Sequence, residues 1–159
     1  MKIRIMCIGS LKESYWRDAE KEYVKRITPY ASVSIEEFPD LPTPDGASAS
    51  IEEGIKNKEA DKMLAKIKPS EYVCVLDLNK KEPDSVELSK QLEDMMRRGG
   101  SSVTFIIGGS LGVSESIRMR ANASISLSRL TFTHQMTRVI LLEQIYRGFK
   151  ILNHEPYHK

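Results

Sequence analysis

The sequence predicts an α/β domain: a mostly parallel five-stranded sheet with helices on both faces. Three observations carry this. Stretches of period-two hydrophobicity alternate along the chain with stretches of helical period. Two runs, EYVCVLDL and SVTFII, are almost continuously apolar, as central parallel strands are when both faces are covered. No internal repeat or linker divides the 159 residues, which read as one domain over 1–159.

The elements follow in order. Lys2 to Gly9 is a strand in which Ile3, Ile5 and Cys7 alternate with Lys2, Arg4 and Met6. Glu13 to Ile27 is a helix with Tyr15, Trp16, Ala19, Tyr23 and Ile27 at helical spacing. It stops near Thr28, because a residue before proline resists the α region. Ser32 to Phe38 alternates again as a second strand. PDLPTPDGASAS, rich in proline, then forms a surface loop. Ser50 and Glu53 have capping-box spacing and open a polar helix toward Ile67. Glu71 to Leu78 is a central strand, followed by a turn with Asn79 and Pro83. A helix from about Asp84 to Arg98 is capped by Asp84 or Ser85 and ended by Gly99-Gly100. Ser102 to Ile107 is another central strand. Ser114 caps a short helix, Ala123 to Ser128 is a strand, and Leu130 to Thr133 is a loop. His134 to Leu152 is the last helix, and NHEPYHK closes the chain.

Composition excludes several classes. No apolar run reaches the roughly 18 residues of a membrane span. MKIRIMCIGS is too short and too alternating for a secretory signal, so a cytoplasmic protein is expected. The two cysteines, Cys7 and Cys74, lie in separate apolar strands and read as small buried hydrophobes in a reducing compartment. Net charge is only +2, but from Ser116 onward seven Lys and Arg face only Glu143 and Glu155. A basic C-terminal end fits a polyanionic partner, although a solvated helix face gives the same count.

In a parallel sheet, ligands bind beyond the carboxyl ends of the strands. Leu76–Leu78, Gly108–Gly112 and Leu127–Phe132 are the loops that meet there. The stretch FIIGGSLG is neither GxGxxG nor a P-loop, so a diphosphate cradle has little support. Ordinary turn geometry explains its glycines equally well. The functional alternative is close main-chain approach to a ligand without phosphate, such as an adenosine attached to an amino acid. His154-Glu155-Pro156-Tyr157-His158 spells HExxH, yet Pro156 would break the helix that motif requires, so no metal site is expected. The tail could fray. Its stiff Pro156 and Tyr157 argue for packing, and a Tyr-His pair could hold a nucleobase and assist its deprotonation. His134 reads most simply as a capping or packing histidine. Glu143 is spaced to pair with Arg147. Arg129 and Arg138 could meet phosphates or merely carry surface charge.

With IIGGSLG, the segment LSRLTFTHQMTRVILLEQIYRGFKI and the terminal PYHK placed, the whole chain resembles the ribosomal RNA large subunit methyltransferase H family. That family belongs to the SPOUT class of knotted methyltransferases. The resemblance implies a C-terminal trefoil knot, S-adenosylmethionine as methyl donor, a homodimer, and methylation at N3 of a pseudouridine in 23S ribosomal RNA within the assembled ribosome. Family donor-binding positions fall on Leu76, Gly108, Leu127, Ser128, Arg129, Leu130, Thr131 and Phe132. Tyr157 and His158 match the tail implicated in catalysis, and Arg138 and Lys159 are expected RNA contacts. Thr133 stands where relatives often carry proline, and it can cap the last helix instead. Lys159 stands where arginine is common, keeping charge without the bidentate fork. The rival readings are a non-catalytic ribosome- or RNA-binding module on the same fold, and a flavodoxin-like nucleotide binder without a knot.

Overall fold

The computed structural model describes residues 1–78 and 80–159. Asn79, expected in a turn, lies outside the described residues. The elements are β1 (Lys2–Ile8), α1 (Ser14–Ile27), β2 (Ser32–Phe38), α2 (Ala49–Leu64), β3 (Val73–Leu76), α3 (Ser85–Arg98), β4 (Ser102–Ile107), α4 (Glu115–Arg120), β5 (Ala123–Ile125) and α5 (His134–Leu152). The sheet has five strands in the order β2-β1-β4-β3-β5, and every pairing is parallel. The expected architecture is present, with the sheet wholly and not mostly parallel.

Strand periodicity sorts the core into two layers. Ile3, Ile5 and Cys7 of β1 join Val103, Phe105 and Ile107 of β4 on one face. Over them lie Ile27 of α1, Leu88 and Leu92 of α3, and Leu141, Leu142, Ile145 and Phe149 of α5. The alternate residues Met6, Ile8 and Ile106 face the other way, with Val73 and Val75, against Ala60 and Met63 of α2 and Ile117 of α4. Burial on both faces is why these strands read as continuous apolar runs. Cys7 and Cys74 are buried, and burial pushes both thiols up to about 12. Gly148 sits where α5 approaches α3: a Cβ there would lie 3.3 Å from Leu92 Cδ2.

Boundaries differ from expectation where side chains compete for the backbone. The α2 cap is Ser48, whose side chain accepts from the Ile51 N–H, and not Ser50. Asp84 caps α3 in a full capping box with Glu87. The strand expected over Glu71–Leu78 shortens to Val73–Leu76. The Glu71 carboxylate takes Arg4, Thr104 and the Lys68 N–H, while the Asp77 N–H still meets the Ile125 carbonyl and only its side chain turns to Arg118. The last strand ends at Ile125 and not Ser128, because the Ser126 N–H donates to the Lys81 carbonyl and its hydroxyl to that of Ser128. After β5 the chain returns from the sheet edge and α5 packs between α1 and α3.

Candidate functional site

β4, β3 and β5 are neighbours, and Leu76 is in register with Ile107 on one side and Ile125 on the other. Their carboxyl ends therefore bring Leu76, Gly108 and the 127–132 segment to one edge of the sheet. The loop after β4 closes on itself: the Gly112 N–H donates to the Gly109 carbonyl at 3.0 Å. A Cβ on Gly108 would lie 2.8 Å from Val113 Cγ1, and one on Gly109 would lie 3.0 Å from Ile8 Cγ2. Gly108 is thus crowded by its own loop, and Gly109 lies close against β1. Gly112, at φ +86°, faces open space. The loop after β5 is held by Ser128, whose hydroxyl oxygen accepts from the Leu130 N–H at 3.0 Å. Leu130 itself is 70% exposed, an apolar side chain offered outward, as is Leu78. Arg129 and Thr131 are exposed, and Leu127 and Phe132 half-buried.

Thr133 then caps α5, accepting from the Met136 N–H at 3.3 Å. The first turns of α5 are tied to the end of β1. The His134 ring lies on Gly9, and Arg138 Nη2 donates to the Gly9 carbonyl at 3.2 Å. Arg138 Nη1 bridges Glu20 of α1 at 3.1 Å and Glu37 of β2 at 2.9 Å. Burial lowers the proton affinity of His134, and the Arg138 charge lowers it further.

The tail is docked along α5. His154 has φ +56° and ends the helical course, so its ring and that of His158 share no helix face. Glu155 accepts from Lys150 Nζ at 2.6 Å and from the Tyr30 hydroxyl at 2.7 Å. The Tyr157 hydroxyl donates to Glu143 Oε1 at 3.0 Å, its ring meets Tyr146 edge-on, and the Arg147 guanidinium covers it. Burial first, then the bond to Glu143, push the Tyr157 phenol up to about 12. His158 Nδ1 lies 3.3 Å from Arg147 Nη1. A guanidinium has no acceptor, so in this contact Nδ1 accepts and Nε2 carries the ring N–H. Among the described residues, the side-chain hydrogen-bond partners of Tyr157 and His158 lie on α5 and not on the three loops.

A family model described as "Predicted SPOUT methyltransferase" matches residues 1–158. The chain belongs to the SPOUT methyltransferase family. It is 50% identical over 159 residues to the ribosomal RNA large subunit methyltransferase H of Desulforamulus reducens, covering 100% of this chain and 99% of that protein. The proteins of the same name from Clostridium botulinum and Enterococcus faecalis are 50% and 46% identical, each with full coverage of both chains.

Within this SPOUT chain the expected residues fall into three groups. Leu76, Gly108 and 127–132 share one sheet edge. Tyr157 and His158 share an ordered patch on α5 with Lys159 exposed beside them. Arg138 is a correction: it is 1% exposed and spent on two carboxylates and a carbonyl, so it is not available to an RNA phosphate. Arg129 is the exposed arginine at the loops. Glu143 and Arg147 pair as their spacing predicts, with Nε to Oε1 at 3.1 Å. That this pair also seats the tail is not visible in the sequence, since nothing local to α5 points to residues 14 and 11 positions away. Among the described residues no group of three or more His, Cys, Asp or Glu could hold a metal ion, and no helix is long and apolar enough to cross a membrane.

The join between β1 and α5 in the SPOUT fold gives a direct test. Gly9 has φ +96°, and a Cβ there would lie 2.8 Å from His134 Cε1. Gly9→Ala is expected to cost about 1–3 kcal/mol, from backbone strain and the displaced ring. Urea denaturation measures it; an unchanged midpoint would mean that His134 is not seated on Gly9.

Proposed function

We propose that this chain methylates N3 of a pseudouridine in 23S ribosomal RNA on the assembled ribosome, using S-adenosylmethionine, as a knotted homodimer in the cytoplasm. The observation that carries this reading is full-length identity of 45–50% to proteins named ribosomal RNA large subunit methyltransferase H. The three loops support it. They offer main chain and the exposed Leu130 and Leu78 beside exposed Arg129 and Thr131, with the Asp77 carboxylate taken up by Arg118. That surface suits a nucleoside without phosphate, so the residues fit the donor. Leu76, Gly108 and Leu127 to Phe132 would hold it. When bound, S-adenosylmethionine supplies a methyl carbon on a sulfonium, with a neutral thioether as leaving group.

The residues of this chain then have two tasks. One is placement, since holding reactants in line accounts for much of such a rate. The other is to favour the deprotonated imide of the base. Tyr157, with its phenol raised to about 12, stays protonated near neutral pH and serves to seat the tail. In this reading His158 Nε2–H donates to a carbonyl oxygen flanking N3 and stabilises the anion left when the N3 proton passes to solvent water, before the N3–methyl bond forms as the S–methyl bond breaks. Because the side-chain hydrogen bonds of Tyr157 and His158 lie on their own α5, the tail of one protomer is taken to serve the donor loops of its partner. The exposed Leu130, Met136 and Tyr15 give apolar surface for that pairing.

Mass spectrometry of ribosomal RNA from cells with and without this gene tests the proposal. A methylated pseudouridine in 23S RNA is expected only where the gene is present. An identical modification pattern in both strains would sink it, and efficient methylation of a short naked hairpin would remove the ribosome from the reading.

A further inference from the structure

One residue, Asp77, joins all three loops: its ion pair reaches the end of the glycine loop, and its backbone N–H reaches the β5 exit. Asp77 follows Leu76 directly, and its side chain is only 8% exposed. Its carboxylate accepts two bonds from Arg118, Oδ2 from Nε at 2.7 Å and Oδ1 from Nη2 at 3.2 Å. Its own N–H donates to the Ile125 carbonyl at 3.0 Å, the last residue before the 126–133 segment. Arg118 stands on α4, the helix into which the glycine loop runs. That helix is fixed by the Ser114 cap and by Ile117, which is 3% exposed in the core against α2 and the sheet. Glu115 is the other acid near Arg118, at 3.6 Å and mostly exposed, so Asp77 is the dominant partner. One residue thus carries a covalent link to the β3 loop, a backbone bond to the β5 exit and a two-pronged bond to the end of the glycine loop.

We propose that the Asp77–Arg118 pair is a positioning element that sets the spacing of the three donor loops, touching neither donor nor RNA. The inference rests on the donor reading above. A fork of two parallel N–H···O bonds fixes orientation as well as distance, which a single-point contact does not. Loss of the fork frees Leu76 main chain and the α4 end of the glycine loop to shift relative to each other, and small misplacements at such sites are costly.

The test is S-adenosylmethionine binding by calorimetry to full-length wild type, Asp77→Asn, Arg118→Lys and the double variant, with the thermal midpoint of each measured without donor. In both single variants the dissociation constant is expected to rise about tenfold or more. Because the pair acts as a unit, the double variant should lose little more than either single. On ribosomes, the KM for the donor should rise while kcat at saturating donor holds. A purely structural role would instead move the unliganded midpoint and leave the affinity of the folded fraction unchanged. Arg118→Lys keeps the charge, so it is the deciding variant if Asp77→Asn does not fold. Wild-type affinity in Arg118→Lys, or losses that simply add in the double variant, overturns this inference alone. Failure of the wild type to bind the donor overturns the donor reading, and this inference with it.

Discussion

His158→Ala is expected to lower the single-turnover rate of ribosome methylation by about 10²–10⁴-fold while leaving donor affinity nearly unchanged. The split follows from where the ring sits. Its Nδ1 is engaged by Arg147, and both belong to the tail patch and not to the loops that carry the donor positions. A group that stabilises developing charge on the base acts in the transition state and so appears in turnover. Tyr157→Phe should cost far less, because the hydroxyl is committed to Glu143 and stays protonated near neutral pH. The ring would keep its edge-on contact with Tyr146 and the Arg147 cover. Single-turnover assays on ribosomes lacking the modification, set beside calorimetry with the donor, measure both quantities. If His158→Ala weakened donor binding as much as turnover, the histidine would be a binding residue only.

What could be read from the sequence was what depends on near neighbours in the chain. The last helix was placed at His134–Leu152, and it runs over those residues, because Thr133 caps it and the side chains that end it are local. The glycine loop was correctly set at the carboxyl end of a central strand. Its glycines, however, answer first to Val113 at the far end of the loop and to Ile8, a contact that only the packed sheet creates. Two strands run shorter than expected because backbone groups leave the ladder: the Glu71 N–H turns to the Lys68 carbonyl and the Ser126 N–H to that of Lys81. Arg138 shows the limit most sharply. Its carboxylates are 118 and 101 residues distant in sequence, so nothing near it distinguishes a buried strut from a surface cation. The tail was legible as stiff and able to pack. Its seat on Glu143, Tyr146 and Arg147 needed the helix turned to show which face was free.

Arg138→Met should destabilise the unliganded protein by about 3 kcal/mol, the lower end of the cost of breaking a buried ion pair. Methionine fills part of the volume but leaves Glu20, Glu37 and the Gly9 carbonyl without their shared donor. Glu37 is 43% exposed and can be rehydrated, which keeps the penalty from the top of the range. Glu20, at 19%, and the carbonyl at the end of β1 have less recourse to water. For a domain of this size the loss corresponds to a fall of roughly 6–12 °C in the thermal midpoint. Arg138→Lys should recover only part, because one ammonium cannot match a fork that holds two carboxylates and a carbonyl at once. The same variants separate a strut from an RNA contact. Removing a phosphate contact lowers the salt dependence of RNA binding by about one charge, whereas removing a strut lowers stability and leaves that slope alone. A thermal midpoint within about 2 °C of wild type, joined to a shallower salt dependence of ribosome binding, would return Arg138 to the RNA surface and require the first turns of α5 to open on contact with it.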